Sequence, residues 1–207
     1  MRRQDIPNAI SILRIALVPM LVLLLVQARF TEALLLFAIA GVSDALDGFL
    51  AKHYGWVSRL GSILDPLADK LLLVSSYVTL GLLGFLPLWL VVAVIARDII
   101  IVLGGWAFHR VIGPYEMHPT YISKANTFTQ ILMIFMALLS LGWWPLEAKI
   151  IEYTAYIVGI TTVLSGLDYV LIWGQRAFRA RRQKAQGRHF GHETVKNNSS
   201  TEQPKKP

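Results

Sequence analysis

Six long apolar runs separated by short polar stretches organise the chain, at about 10–26, 33–50, 71–86, 88–108, 128–141 and 150–173. They are continuous rather than alternating, so they do not read as half-buried strands. A run of roughly 20 residues, rising 1.5 Å each as a helix, crosses a hydrocarbon layer about 30 Å thick. In lipid the backbone must bond to itself, which a helix does within one segment. The pattern predicts an all-α integral membrane protein with six transmembrane helices. The first run has the length of a span and lacks a small-residue cleavage site, so it reads as the first helix rather than a removed signal.

The polar stretches sort by charge. Arg2 and Arg3 precede the first run, Lys52, Arg59 and Lys70 follow the second, and Arg110 and Lys124 follow the fourth. The stretch at 84–87 carries no charge, and 142–149 carries one Lys and one Glu. The positive-inside rule then puts both termini in the cytoplasm, which an even number of spans allows. Trp143 and Trp144 suit an interfacial belt on the far side, and Trp143 suits packing equally well. Charged residues make up 16% of the chain, against about 25% in soluble domains, and the mean hydropathy is +0.52. Both values favour the bilayer.

The net charge of +7 is concentrated near the end, in Arg176, Arg179, Arg181, Arg182, Lys184 and Arg188. Beside membrane spans this reads as attraction to anionic headgroups rather than to nucleic acid. The organisation expected is a six-helix domain over 1–175 and a basic, disordered cytoplasmic tail over 176–207. The chain has no cysteine, which excludes disulfides, thiolate catalysis and cysteine-held zinc.

One stretch breaks the apolar pattern with acids. From Gly41 to Lys70 it places Asp44, Asp47, Asp65 and Asp69 at or inside the ends of two membrane helices. An ionised Asp at mid-bilayer costs about 2.5–3.5 kcal/mol, so four of them need a polar cavity, each other or cations. Asp44 and Asp47 lie one turn apart, roughly 60° around a helix, and Asp65 and Asp69 roughly 40° apart. Two acidic faces joined by a short connection converge if the helices are antiparallel neighbours. Such carboxylates suit a hard divalent cation, which takes oxygen ligands and is often shared with substrate phosphates. Gly48 leaves room for close approach of a ligand, and Lys52 supplies a cation for a phosphate. Taken singly, each Asp is as readily a helix cap or a solvated surface group. Four at this spacing inside apolar sequence favour the site.

Asp44, Asp47, Gly48, Ala51, Lys52, Gly61, Asp65 and Asp69 also stand at every spacing of the signature of the CDP-alcohol phosphotransferases. The chain resembles that family over roughly 6–174. It departs at Lys52, where the family usually has Arg, keeping the charge but losing the planar fork. The resemblance implies that Asp44, Asp47, Asp65 and Asp69 hold a divalent metal, Mg²⁺ or Mn²⁺, as two ions. Asp69 would be the catalytic base on the acceptor hydroxyl. Gly48, Ala51 and Gly61 would border the cytidine and diphosphate, and Lys52 would pair with phosphate. It further implies CDP-diacylglycerol as donor, a lipid or glycerol phosphate acceptor, and a homodimer.

The segment IPNAISILRIALVP, with Asn8 and Arg14, resembles the branch that makes phosphatidylglycerophosphate and cardiolipin. Asn8, Arg14, Arg97 and Lys124 are therefore added to the substrate-binding set. Arg14 in the first span either neutralises a phosphate or counters one of the acids. Arg97 and Asp98 point about 100° apart on a helix and need not pair. Asp168 is expected to bond between helices. Arg97-Asp98 and the segment 119–127 resemble the members that use phosphatidylglycerol as acceptor more than those that use glycerol-3-phosphate. Lys124 suits an acceptor phosphate in both. A multi-pass protein of a bacterial inner membrane, with its site facing the cytoplasm, is expected. Intramembrane acids also mark ion-coupled transporters, but the chain has no internal repeat and its acids gather at one connection. An inert family member would have lost a motif Asp, and none is lost.

Overall fold

The computed structural model describes residues 5–54, 61–112 and 120–172, all of them in helices and short turns. The helices are α1 (Asp5–Val26), α2 (Phe30–Tyr54), α3 (Gly61–Leu82), α4 (Leu88–Ile112) and α5 (Tyr121–Gly142), followed by α6 (Ala148–Ile172). α4 over Leu88–Trp106, α5 and α6 are long and apolar enough to cross a membrane. Ile10–Val26 of α1 is apolar but shorter. α2 and α3 outlast their apolar runs, because α2 continues to Tyr54 and α3 already begins at Gly61. The acids thus ride on continuous helix. The basic tail assigned to 176–207 lies outside the described residues.

The chain divides into two compact units, one of Met1–Asp98 with Pro119–Ser165, the other of Ile99–His118 with Gly166–Pro207. In the first, α1 packs on α2 and α3, and α5 packs on the same two helices. Buried positions recur at helical spacing, Leu21, Leu24 and Leu25 on α1 and Met133, Ile134, Ala137 and Leu138 on α5. The opposite faces are also apolar, with Leu13, Leu23, Ile39 and Phe128 exposed. Helices apolar all round suit a lipid surround. Between them run polar ties: Tyr77 donates to the Gln130 carbonyl at 3.1 Å, and Thr161 and Thr162 donate to Asn126 Oδ1 at 3.0 and 2.9 Å. Such bonds hold helices together where burial gives no preference over lipid.

The turns gather at one end. Ala28 adopts φ 56° between α1 and α2, where Arg29 Nη2 donates to Glu32 at 2.8 Å. That hydrogen bond holds the Glu32 carboxyl below its ordinary range. Gly84, at φ 81°, closes α3. The Phe30 and Phe85 rings meet edge to face at 5.1 Å. Thr31 Oγ1 donates to the Gly142 carbonyl at 2.8 Å, bringing the end of α5 to the same place. A Cβ on Gly142 would stand 2.8 Å from the Thr31 amide nitrogen, so only glycine allows that approach. The opposite end holds the start of α1, the end of α2 and the starts of α3 and α5, where the acids are.

In the second unit, the Arg110 guanidinium lies 5.0 Å from the Trp106 ring centroid. Tyr169 is buried, and the Asp168 Oδ2 is buried without a hydrogen-bond partner among the described residues. The interhelical bond expected of Asp168 is not made by that atom.

Candidate active site

α1 presents two polar side chains one turn apart to the acidic ends of α2 and α3. Arg14 is 2% exposed, and its Nη1 lies 2.7 Å from Asp44 Oδ1. The same nitrogen donates to Asp69 Oδ1. One guanidinium nitrogen therefore draws together an acid from α2 and an acid from α3. Ser11, fully buried, donates its hydroxyl to Asp65 Oδ1. Three of the four motif aspartates are thus held by one face of α1. Of the two roles open to Arg14 in the sequence, the geometry displays the countercharge.

A cavity of about 480 Å³ opens beside this cluster. Arg14, Asp44, Asp69 and Thr127 are its polar lining, and Phe37, Leu72, Leu73, Phe128, Ile131 and Phe135 are among its apolar walls. A ligand with a phosphate at one end and hydrocarbon at the other matches that division.

The remaining site residues are placed as follows. Gly61 is buried at the first position of α3. Asn8 lies on α1, and Asp47, Gly48, Ala51 and Lys52 lie on the last turns of α2, but their side chains are outside the described residues. Lys124 is exposed, with its ammonium 5.7 Å from the Tyr121 ring centroid. Arg97 belongs to a separate network. Its guanidinium donates to Ser123 on α5 at 2.5 Å and to Ser165 on α6 at 2.8 Å. It also meets Asp98 at 2.7 Å, although the two are adjacent on α4. Asp98 in turn receives Lys70 from α3, both oxygens at 2.6 Å.

Sequence reasoning missed Ser11 and the Lys70–Asp98 pair. Ser11 carried a signal, a small hydroxyl one turn before Arg14 in an apolar run. Lys70 gave none beyond its charge.

The donors around the cluster are carboxylate oxygens with one hydroxyl, a set that suits hard divalent cations over soft ones. Among the described residues no three His, Cys, Asp or Glu side chains converge into a metal cage. Asp44 and Asp69 nevertheless share one nitrogen partner, and Asp65 is held one turn of α3 away, so the set fits such an ion in the chemistry of its donors.

Residues 4–167 match the model of a family described as CDP-alcohol phosphatidyltransferase. The chain belongs to the CDP-alcohol phosphatidyltransferase family. All eight signature residues from Asp44 to Asp69, and Ser11 and Arg14 that hold three of them, lie within the matched segment. Among relatives, it is 33% identical over 182 residues to a probable cardiolipin synthase (CMP-forming) of Drosophila melanogaster, covering 80% of this chain and 56% of that one. It is 32% identical over 180 residues to the human cardiolipin synthase (CMP-forming), covering 79% and 60%. It is 32% identical over 176 residues to a probable phosphatidylglycerophosphate synthase of Mycobacterium tuberculosis, covering 82% and 81%. The chain therefore spans somewhat over half the length of the first two relatives and most of the third.

Proposed function

We propose that this chain transfers a phosphatidyl group from CDP-diacylglycerol to a glycerol-type acceptor, releasing CMP, with phosphatidylglycerol as the acceptor and cardiolipin as the product. The observation that carries the proposal is the divided cavity, with Arg14, Asp44 and Asp69 at its polar part and aromatic and aliphatic walls beyond. It matches a substrate whose reacting phosphate is esterified to hydrocarbon. Family membership supports the donor class. The names of the fly and human relatives support the acceptor, and that of the mycobacterial relative supports glycerol-3-phosphate as the second reading.

In the reaction the acceptor hydroxyl oxygen attacks the phosphatidyl phosphorus. The new oxygen–phosphorus bond forms as the bridging bond of the diphosphate breaks, and CMP leaves with that electron pair. Asp69 takes the hydroxyl proton as attack proceeds. Ser11 fixes Asp65, and Arg14 fixes Asp44 and Asp69 relative to each other, so the acids are oriented before substrate arrives. Lys52 pairs with phosphate oxygens, and Gly48, Ala51 and Gly61 border the nucleotide. Two Mg²⁺ or Mn²⁺ ions on Asp44, Asp47, Asp65 and Asp69 would supply charge neutralisation on the diphosphate. The six helices span a cell's inner membrane with both termini and the site on the cytoplasmic side, and the protein works as a homodimer.

The test supplies purified protein with CDP-diacylglycerol and a divalent metal, and follows CMP and lipid product with each acceptor separately. Cardiolipin from phosphatidylglycerol alone is the expected result. Product from glycerol-3-phosphate alone moves the reading to the second acceptor. Full activity in Asp69→Asn overturns the mechanism.

A further inference from the structure

Two further cavities begin at the end of the helices away from the acids. One, about 370 Å³, sits between the α3–α4 turn and α6, with Phe85, Trp89, Glu152 and Tyr156 in its lining. The other, about 350 Å³, starts at the same Trp89 and Tyr156 and follows α4 and α6 past Ala93, Gly159 and Val163 to Leu164. The shared rings are stacked, 5.7 Å apart with 21° between their planes. Gly159 makes this possible, since a Cβ there would stand 2.7 Å from the Trp89 ring. From Tyr156 to Leu164 an α-helix rises about 12 Å, most of the roughly 15 Å depth of one hydrocarbon leaflet.

The mouth is charged and the groove is not. Glu152 is exposed, and Lys149 lies one turn before it on the same side of α6, also exposed. Neither has a hydrogen bond or ion pair with another side chain among the described residues. A carboxylate in the lining beside aromatic rings, an exposed ammonium one turn before it on α6 and a narrow apolar groove complement a zwitterion carrying a chain. We propose that these cavities bind one phospholipid with a zwitterionic, amine-bearing headgroup. Its ammonium meets Glu152 and an open ring face of the Trp89–Tyr156 pair, its phosphate meets Lys149, and one acyl chain fills the groove past Ala93 and Gly159. The site is separate from the acidic cluster and rests on the membrane reading, not on the identity of the acceptor.

The test is native mass spectrometry of the full chain in detergent, given phosphatidylethanolamine and phosphatidylglycerol with identical chains. Retention of phosphatidylethanolamine about fivefold over phosphatidylglycerol is expected, a preference of roughly 1 kcal/mol. Glu152→Gln and Lys149→Gln each bring the two lipids near parity. Ala93→Phe, which fills the groove, removes the retained lipid. All three variants keep CMP release, which reports that they fold. Equal retention of both lipids by the unaltered chain, or unchanged preference in Glu152→Gln, overturns the proposal. Loss of retention in Asp44→Asn would place the lipid at the acidic cluster and also overturn it. A second copy is the rival occupant. Because the chain lacks cysteine, Ile160→Cys gives a clean assay, and efficient oxidative cross-linking of two copies through it would show that protein covers the groove.

Discussion

Replacing Arg14 by Met tests whether the guanidinium is the countercharge that keeps the acids together. Methionine retains an apolar stem of similar length and removes the charge. The Arg14 side chain is 2% exposed, whereas those of Asp44 and Asp69 are 40% and 42% exposed. Breaking a fully buried pair costs about 3–5 kcal/mol, and breaking an exposed one about 0–1 kcal/mol. Two partly hydrated carboxylates around a buried cation fall between, so a loss of about 2 kcal/mol is expected. In a domain of this size that corresponds to a fall in Tm of about 4–8 °C.

The assay is thermal unfolding in detergent, followed by tryptophan fluorescence, in EDTA and in Mg²⁺ or Mn²⁺. A divalent cation raises Tm more in Arg14→Met than in the unaltered chain. It supplies the charge that the guanidinium supplied, and Arg14 no longer competes with it for Asp44 and Asp69. Arg14→Lys falls between the two, because a single ammonium keeps the charge but loses the planar fork. A variant Tm in EDTA within about 1 °C of the unaltered chain would refute the countercharge argument. Equal metal stabilisation of the two proteins would refute the competition.

Other substitutions probe neighbouring contacts. Ser11→Ala removes the hydroxyl bonded to Asp65; a hydrogen bond to a charged group contributes about 1.5–3 kcal/mol, so CMP release should fall roughly 10- to 100-fold if the bond is fully expressed in the transition state. Asp98→Asn leaves Lys70 and Arg97 without their shared carboxylate and lowers stability by about 2–4 kcal/mol. The double variant Lys70→Met/Asp98→Leu should lose less than the sum of its single changes, with a coupling of about 1–3 kcal/mol in a double-mutant cycle. Gly142→Ala drives a methyl group into the Thr31 backbone and costs about 1–3 kcal/mol. Ala28→Gly relieves a left-handed alanine and stabilises by about 0.5–1 kcal/mol. Thermal unfolding reads these last two as shifts of opposite sign.

What the sequence disclosed and what it hid divide along a physical line. Apolar runs are local, and the six of them correspond to six described helices. The fixed spacing of Asp44, Asp47, Asp65 and Asp69 is likewise local, and it points to the ends of α2 and α3, where Asp44 and Asp69 meet at Arg14. The helices carrying the acids extend beyond their apolar runs, which a hydropathy pattern does not register because the added turns are polar. Contacts between helices distant in sequence are not written in either signal. Ser11 meets Asp65 from another helix, and Lys70 reaches Asp98 the same way. Arg97 and Asp98 diverge by about 100° as backbone vectors, yet their side chains meet at 2.7 Å, because a long guanidinium can turn back across that arc. The same length lets Arg14 hold Asp44 and Asp69 with one nitrogen. Long flexible cations inside apolar helices therefore act as adaptable bridges, and their partners follow from packing rather than from spacing. The aspartates are short and stiff, so their positions follow the helix, whereas the sequence left Arg14 two roles and gave Lys70 no partner.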